Sequence, residues 1–76
     1  MDFGDAIQLM KNGESAARQG WSGGVFLRLQ KPDDHSKMTG PYIYFQRGEM
    51  DPYCIPWVPS QEDMLATDWI QLGAVG

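Results

Sequence analysis

Cysteine and histidine are almost absent from this 76-residue chain, which has one of each, Cys54 and His35. One cysteine excludes an internal disulfide, and the two residues do not form a zinc-ligand spacing. No HExxH, GxSxG or phosphate-loop pattern occurs. We predict no metal, no cofactor and no enzymatic activity, with Cys54 buried or merely tolerated and His35 in a solvated loop.

Basic residues are also few. Six Lys and Arg stand against ten Asp and Glu, for a formal net charge of -4. DNA and RNA binding needs clustered positive charge, so both polymers are disfavoured as partners. A small anionic ligand that a few local donors hold is still compatible with this composition.

Long apolar runs are missing too. The first ten residues, MDFGDAIQLM, lack the basic and apolar regions of a signal peptide, and no stretch reaches the length of a membrane span. With a single unpaired thiol, this indicates a cytoplasmic protein without a membrane partner.

The short length predicts one domain, residues 1–76, with a marginal core. A chain of this size buries only about 60% of its unfolded surface. Small domains without disulfides or metals gain stability by association. We therefore predict a homo-oligomer.

Apolar residues near the N-terminus recur at the spacing of one helical face. They are Phe3, Ala6, Ile7 and Met10. Asp2 is a candidate N-cap and Asn12-Gly13 a stop signal, which predicts one short helix.

Strand patterns follow in residues 25–30, 42–47 and 53–58, whereas residues 14–18 suit a helix or a strand. Alternation places Val25, Leu27 and Leu29 towards the core, and Phe26, Arg28 and Gln30 on the other side. Pro56 lacks an N–H, so the third strand is predicted at a sheet edge or with a kink.

The last segment begins with a helix signal. Ser60 and Asp63 have capping-box spacing, which predicts one or two helical turns over residues 61–67. Trp69, Ile70 and Leu72 then fit a short strand or an extended tail. The predicted fold class is α+β: a small antiparallel sheet with an N-terminal helix and a short C-terminal helix.

An aromatic surface is predicted on the non-core side of the sheet, formed by Phe26, Tyr42 and Tyr44, and extended by Tyr53 or Trp57. Such a surface can stack planar bases, with Arg28 near enough to hold phosphate oxygens. An oligomer interface favours the same residue types, and both roles can hold together.

Two further segments have alternative interpretations. The GWSGG stretch is either a ligand-approaching loop with Trp21 as a lid or a hairpin connection. The helix start at Ser60 can offer N–H groups to an anion, although Glu62 and Asp63 add negative charge there. Asp63 either caps its helix or accepts hydrogen bonds from ribose hydroxyls, and the box spacing favours capping.

Four segments resemble, in order, the second class of Thoeris anti-defence proteins, which are small phage proteins. The segments read MDFGDAIQLMKNG, ARQGWSGG, PYIYFQ and IPWVPSQEDMLATDW. The last is the most specific, with Pro-Trp, Pro-Ser, an acid and Leu-Ala before Asp-Trp.

This resemblance implies a homo-oligomer, typically a tetramer, in the cytoplasm of the infected bacterial host. It implies sequestration, without degradation, of the cyclic ADP-ribose-type signal of a TIR-domain enzyme. It also implies a site at a subunit interface, built partly from Trp21 and residues 57–63. Relatives that bind cyclic oligonucleotides suggest a second ligand class.

On this basis aromatic rings would stack the adenine, Asp63 and Gln61 would meet ribose hydroxyls, and an arginine would meet the pyrophosphate. The residues predicted to contact the ligand are Arg18, Trp21, Phe26, Arg28, Tyr44, Trp57, Ser60, Gln61 and Asp63. The alternative hypothesis is an interaction protein that inhibits a host protein through the aromatic surface.

Overall fold

The computed structural model describes residues 1–21, 24–35, 37, 39–48, 51 and 53–72. Its elements, in chain order, are α1 (Phe3–Lys11), β1 (Ser15–Arg18), β2 (Phe26–Gln30), β3 (Tyr42–Gln46), β4 (Cys54–Pro56), α2 (Gln61–Leu65) and β5 (Trp69–Leu72). The predicted α+β class is confirmed. Neither helix in these ranges is long and apolar enough to cross a membrane.

Helix α1 begins and ends where the sequence predicts. The Asp2 carboxylate accepts the N–H of Asp5 at 2.8 Å, and the Asp5 carboxylate accepts the N–H of Asp2 at 3.3 Å. This reciprocal pair satisfies two N–H groups that a helix start leaves without partners. Asn12 is the C-cap, and Gly13 follows with φ +87°, a conformation that favours glycine.

The five strands form one antiparallel sheet in the order β4-β3-β2-β1-β5. Residues 14–18, which fitted a helix or a strand, contain β1, and the GWSGG stretch connects the antiparallel neighbours β1 and β2. Ser22 and Gly23 of that stretch lie outside the described residues. Pro56 lies in β4 at the sheet edge, as predicted, where no neighbour needs its missing N–H.

The core lies between α1 and one side of the sheet, here called the helix side. Its fully buried members are Ala6, Met10, Ala16, Leu27 and Trp69. Half-buried apolar residues pack around them, namely Phe3, Ile7, Trp21, Leu29, Ile43, Phe45, Trp57 and Ala66. The predicted inward direction of Leu27 and Leu29 is confirmed, and Ile43 and Phe45 of β3 also pack against the core.

The opposite side of the sheet, here called the open face, faces away from α1. Cross-strand register places twelve side chains on it. They are Ser15, Ala17, Phe26, Arg28, Gln30, Tyr42, Tyr44, Gln46, Cys54, Pro56, Ile70 and Leu72.

Two expectations about the predicted aromatic surface are wrong. Phe26 is on the open face but only 7% exposed, whereas Arg28, two residues later in the same strand and on the same face, is exposed. Trp57 lies on the helix side instead. The backbone N–H of Trp57 donates to the carbonyl of Ile43 at 3.0 Å. The two residues therefore face each other across the strands, and the side chain of Trp57 lies on the same side of the sheet as that of core-facing Ile43.

Candidate functional site

Helix α2 starts with the capping box that the sequence predicts. The Ser60 hydroxyl accepts the N–H of Asp63 at 3.1 Å, and the Asp63 carboxylate accepts the N–H of Ser60 at 3.1 Å. Gln61 is exposed in the first turn. The capping role of Asp63 is therefore confirmed, and it uses one of the two carboxylate oxygens.

The other oxygen of Asp63 binds Arg18, which projects from β1. Arg18 Nη1 lies 3.1 Å from Asp63 Oδ1, and Arg18 Nε lies 2.9 Å from Asp68 Oδ1. Glu62 Oε1 is 3.9 Å from the same Nη1. One guanidinium thus ties β1 to α2 and to the residue before β5, in a group of one cation and three carboxylates.

The hydrogen bonds of this group change the proton affinities of its members. The bond to Asp68 raises the pKa of Arg18, and the bond to Asp63 adds to that effect despite partial desolvation. For Asp63, burial alone would raise the pKa. Hydrogen bonds from Ser60 and from Arg18, with the Arg18 charge, outweigh burial and hold the pKa of Asp63 below its ordinary 3.8. Both groups are therefore charged at neutral pH.

An aromatic cluster adjoins the ion pairs. Trp21 meets Trp57 edge to face at a centroid distance of 6.4 Å, and both rings contact Trp69, at 5.5 and 6.0 Å. Phe3 closes the group against Trp57 and Trp69. Trp69 is 1% exposed, whereas Trp21, Trp57 and Phe3 are half-buried, so Trp21 and Trp57 are the tryptophans of the cluster that have partial exposure to solvent.

Two hydrogen bonds join the aromatic cluster to residues of the ion pairs. The indole Nε1 of Trp69 donates to the carbonyl oxygen of Asp63 at 3.0 Å. The backbone N–H of Trp21 donates to the carbonyl of Arg18, also at 3.0 Å. Arg18, Trp21, Trp57, Asp63 and Trp69 therefore form one connected group, here called the Arg18–tryptophan cluster, in which Trp69 is buried.

Residues 1–72 match the family described as the Thoeris anti-defense 2-like domain. The match spans nearly the whole chain and includes every residue of the cluster. The chain belongs to this family. A similar protein is Thoeris anti-defense 2 of Bacillus phage SP01, 31% identical over 83 aligned positions that cover 91% of each chain. Membership in the Thoeris anti-defense 2-like family supports a phage anti-Thoeris role.

The structure divides the nine predicted ligand residues of this family member between the two sides of the sheet. Six lie together on the helix side, namely Arg18, Trp21, Trp57, Ser60, Gln61 and Asp63. Phe26, Arg28 and Tyr44 lie on the open face, where Arg28 and Tyr44 are cross-strand partners. A ligand that touches both groups would have to meet them on different protomers.

The open-face group borders a shallow recess of about 200 Å³. Its lining residues are Gln30, Tyr42, Tyr44, Cys54, Ile55 and Pro56. Ligand pockets for nucleotide-sized molecules occupy about 300–1,000 Å³. The recess of one protomer is therefore too small to enclose such a ligand.

Two residues of the helix-side network were not predicted. Asp68 is a principal partner of Arg18, and Trp69 is the largest fully buried side chain. The Asp-Trp pair of the family motif contains both, so the motif was the available signal. Strand patterns in the sequence predict Trp69 only as part of a short strand or an extended tail.

The metal-ligating and nucleophilic residue types were also located in the part of the chain that the structure describes. It contains no group of three or more His, Cys, Asp or Glu side chains arranged to hold a metal ion. Cys54 is an exposed free thiol rather than a buried one, and His35 is exposed in its loop. The solvated position predicted for His35 is confirmed.

Proposed function

We propose that this protein binds a cyclic ADP-ribose-type immune signal of the Thoeris system and retains it without degrading it. Membership in the Thoeris anti-defense 2-like family carries the proposal, because it supports the anti-Thoeris role that sequestration would serve. A protein that holds its ligand without converting it has to stabilise only the bound ligand. It needs no side chains that stabilise a transition state. The lack of a metal-binding group among the described residues is compatible with this mechanism.

The Arg18–tryptophan cluster, with the start of α2, is the surface that we assign to the ligand. Trp21 and Trp57 offer partly exposed aromatic rings, and a stacked base gains about 1–3 kcal/mol from such a ring. Ser60 and Gln61 are exposed beside them and can hydrogen-bond ribose hydroxyls or base edges. The buried Trp69 packs edge to face against both Trp21 and Trp57 and so fixes the position of their rings.

Charge limits which part of the ligand this surface recognises. Arg18 already binds Asp63 and Asp68, with Glu62 nearby, so the group has an excess of negative charge. Carboxylates attract hydroxyl and amino donors, and they repel phosphate oxygens. We therefore assign adenine stacking and hydroxyl recognition to this surface. Cations for the pyrophosphate would come from another protomer or from a rearranged Arg18.

A release experiment tests retention. The folded protein is incubated with the product of the TIR-domain enzyme, freed of unbound nucleotide, and then heated until it unfolds. We expect intact nucleotide to return to solution in near-stoichiometric amount. A chemically altered nucleotide would indicate catalysis, and no recovered nucleotide would contradict the proposal.

A second candidate, inhibition of a host protein, is favoured by one observation. Val58, which precedes α2, is 85% exposed, and Leu65, the last residue of α2, is 79% exposed. Large apolar side chains at such exposure occur at protein contacts.

A thermal-shift series separates the two candidates. A ligand at 100 times its dissociation constant adds about 2.7 kcal/mol to the free energy of unfolding. We expect stabilisation by cyclic ADP-ribose isomers, with cyclic dinucleotides measured in parallel as the second ligand class. The absence of any shift, together with binding of a host protein that Leu65→Glu abolishes, would favour the second candidate.

A further inference from the structure

The three carboxylates around Arg18 differ in how much of their hydrogen-bonding capacity is already used. Asp63 accepts the N–H of Ser60 with one oxygen and Arg18 Nη1 with the other, each at 3.1 Å. Asp68 accepts Arg18 Nε at 2.9 Å. Glu62 Oε1 lies 3.9 Å from Arg18 Nη1, which is too long for a hydrogen bond. Within the described part of the chain, Glu62 is therefore the carboxylate of this group that keeps both oxygens available.

Glu62 is also the most accessible of the three acids. Its side chain is 85% exposed, against 17% for Asp63 and 36% for Asp68. A carboxylate can accept about four hydrogen bonds, and those of Glu62 go to water. A hydroxyl or amino group of a ligand can replace that water without breaking a contact that holds the fold.

The position of Glu62 places it next to the aromatic rings that we assign to the base. Glu62 belongs to the first turn of α2 and directly precedes Asp63. The carbonyl of Asp63 accepts the indole N–H of Trp69, which packs against Trp21 and Trp57. A base stacked on either of these rings has its ribose bonded to it, and the first turn of α2 is the adjoining polar segment.

The charge around Glu62 decides which ligand atoms it can meet. One guanidinium stands against three carboxylates in this group. A hydroxyl donates to a carboxylate in a charge-assisted hydrogen bond, whereas a phosphate oxygen is repelled by it. Dinucleotide-binding folds use the same chemistry, since an Asp or Glu binds the ribose 2′-hydroxyl and an Arg accommodates a phosphate there.

We propose that Glu62 is the specificity-determining residue of the ligand surface: it accepts a hydrogen bond from a ribose hydroxyl and excludes nucleotides that carry a phosphate at that position. The sequence assigned this contact to Asp63, but both oxygens of Asp63 already hold contacts within the fold. The inference rests on the proposed function, because the nucleotide must bind at the Arg18–tryptophan cluster. It adds the class of nucleotide, one whose ribose hydroxyl is free of phosphate.

The open face is the competing location for the ligand, and it has the opposite charge preference. Arg28 is exposed there, and its Nη2 donates to the carbonyl of Gly13 at 3.2 Å. In contrast to Arg18, no carboxylate of the described residues forms an ion pair with Arg28. A nucleotide bound beside Arg28 would gain from a further phosphate. The two locations therefore predict opposite effects of a ribose phosphate.

Calorimetric titration with a matched set of ligands provides the test. The probes are the cyclic ADP-ribose isomers and, for each isomer that binds, derivatives in which one free ribose hydroxyl is replaced by hydrogen or carries a phosphate. At one of these positions, the wild type should bind the deoxy derivative about tenfold more weakly than the parent isomer, as expected for a lost hydrogen bond to a charged group. The derivative phosphorylated at that position should bind more weakly still.

Glu62→Gln separates the effect of the carboxylate from that of the surrounding surface. Glutamine has nearly the same shape and keeps one acceptor, but it has no charge. The preference for the hydroxyl over the phosphate should fall about tenfold or more in this variant, because the repulsion is removed. The deoxy derivative should bind the variant as well as it binds the wild type, since it cannot make the charge-assisted bond to either protein. A residue that acted only through folding would weaken all probes by the same factor.

Asp34→Asn is the matched control for net charge. It removes one negative charge from an exposed residue in the loop between β2 and β3, at the opposite end of β2 from Arg18. Its preferences among the probes should equal those of the wild type. The thermal midpoint of unfolding checks the fold of Glu62→Gln. It should not change, because an exposed ion pair at 3.9 Å contributes little to stability.

Two results would overturn this inference while the proposed function stands. One is that phosphorylated derivatives bind the wild type as tightly as the parent isomer, whichever hydroxyl carries the phosphate. The other is a folded Glu62→Gln protein that keeps the wild-type preferences. If no isomer binds the folded wild type, the proposed function is wrong and the inference fails with it.

Discussion

Arg18 Nη1 and Asp63 Oδ1 lie 3.1 Å apart, although 45 residues separate the two in the chain. The contact fixes the short helix α2 against β1. The Nε of the same guanidinium donates to Asp68, so one side chain holds both α2 and the residue that precedes β5. Because α2 buries no residue of its own, these polar contacts have a large share in holding it in place.

Arg18→Lys should lower the thermal midpoint of unfolding by several degrees. Lysine keeps the positive charge, but its single ammonium cannot copy the fork that reaches Asp63 and Asp68 at the same time. Scanning calorimetry of wild type, Arg18→Lys, Asp68→Asn and the double variant measures the coupling. We expect the double variant to lose less than the sum of the two single losses. Strict additivity would contradict a stabilising coupling between Arg18 and Asp68.

Asp63 should make stability depend on pH in the acid range. Its pKa is lower in the folded chain than in the unfolded chain, so its contribution is complete above the ordinary pKa of 3.8. That contribution is lost as the pH falls through the lowered folded-state value.

The matched variant is Asp63→Asn, which keeps an acceptor for the Ser60 N–H but cannot titrate. Urea unfolding from about pH 6 down to about pH 2.5 should show a shallower loss of stability in this variant than in the wild type. Parallel curves for the two proteins would contradict the assigned shift.

Local signals in the sequence located most of the elements. Capping boxes and stop signals depend on residues three or four apart, and both helix starts occur where Asp2 and Ser60 predict them. Pro56 predicted either an edge position or a kink for its strand, because its missing N–H disfavours a central strand, and β4 lies at the edge.

Long-range relationships could not be predicted in the same way. Arg18 and its partners are 45 and 50 residues apart, and no local pattern encodes that distance. Alternation assigned the side of Phe26 but not its burial, since Arg28 on the same side of the same strand is exposed. The side of Trp57 depended on whether strand pairing continued beyond Pro56. The predicted ligand set was consequently divided between two surfaces.

Ser60→Ala should destabilise the protein by about 1 kcal/mol, within the range of about 0.5–2 kcal/mol for a lost N-cap side chain. The alanine cannot accept the N–H of Asp63. Gln61→Ala changes the exposed neighbour and should stay within about 0.5 kcal/mol of the wild type. Urea denaturation of both variants measures the difference, and equal stabilities would contradict a capping contribution from Ser60.

Trp69→Phe should cost more than the loss of ring area alone. The phenyl ring removes the Nε1 donor, which leaves the Asp63 carbonyl without that partner at a cost of about 1–3 kcal/mol. The smaller ring also leaves space in the core. Trp57→Phe is the matched control, with a smaller expected loss because Trp57 is only half-buried. Chemical denaturation compares the two, and a larger loss in Trp57→Phe would contradict the central position of Trp69.

The division of the predicted ligand residues leads to a prediction about which side of the sheet binds the nucleotide. Trp57→Leu and Tyr44→Leu both replace an aromatic ring with the same aliphatic side chain, on the helix side and on the open face respectively. Loss of a stacking ring costs about 1–3 kcal/mol, which is roughly a 5- to 150-fold rise in the dissociation constant. We expect that rise for Trp57→Leu and an unchanged value for Tyr44→Leu.

Calorimetric titration with cyclic ADP-ribose isomers measures these constants at protein concentrations high enough to maintain any assembly. Gln61→Ala is the third variant, because an exposed side chain can be removed without unfolding the chain, and it should also weaken binding. If Tyr44→Leu alone weakens binding, the ligand lies on the open face. If both leucine variants weaken it equally, the ligand contacts two protomers at once. Either result would contradict the assignment of the ligand to the helix side of the sheet alone.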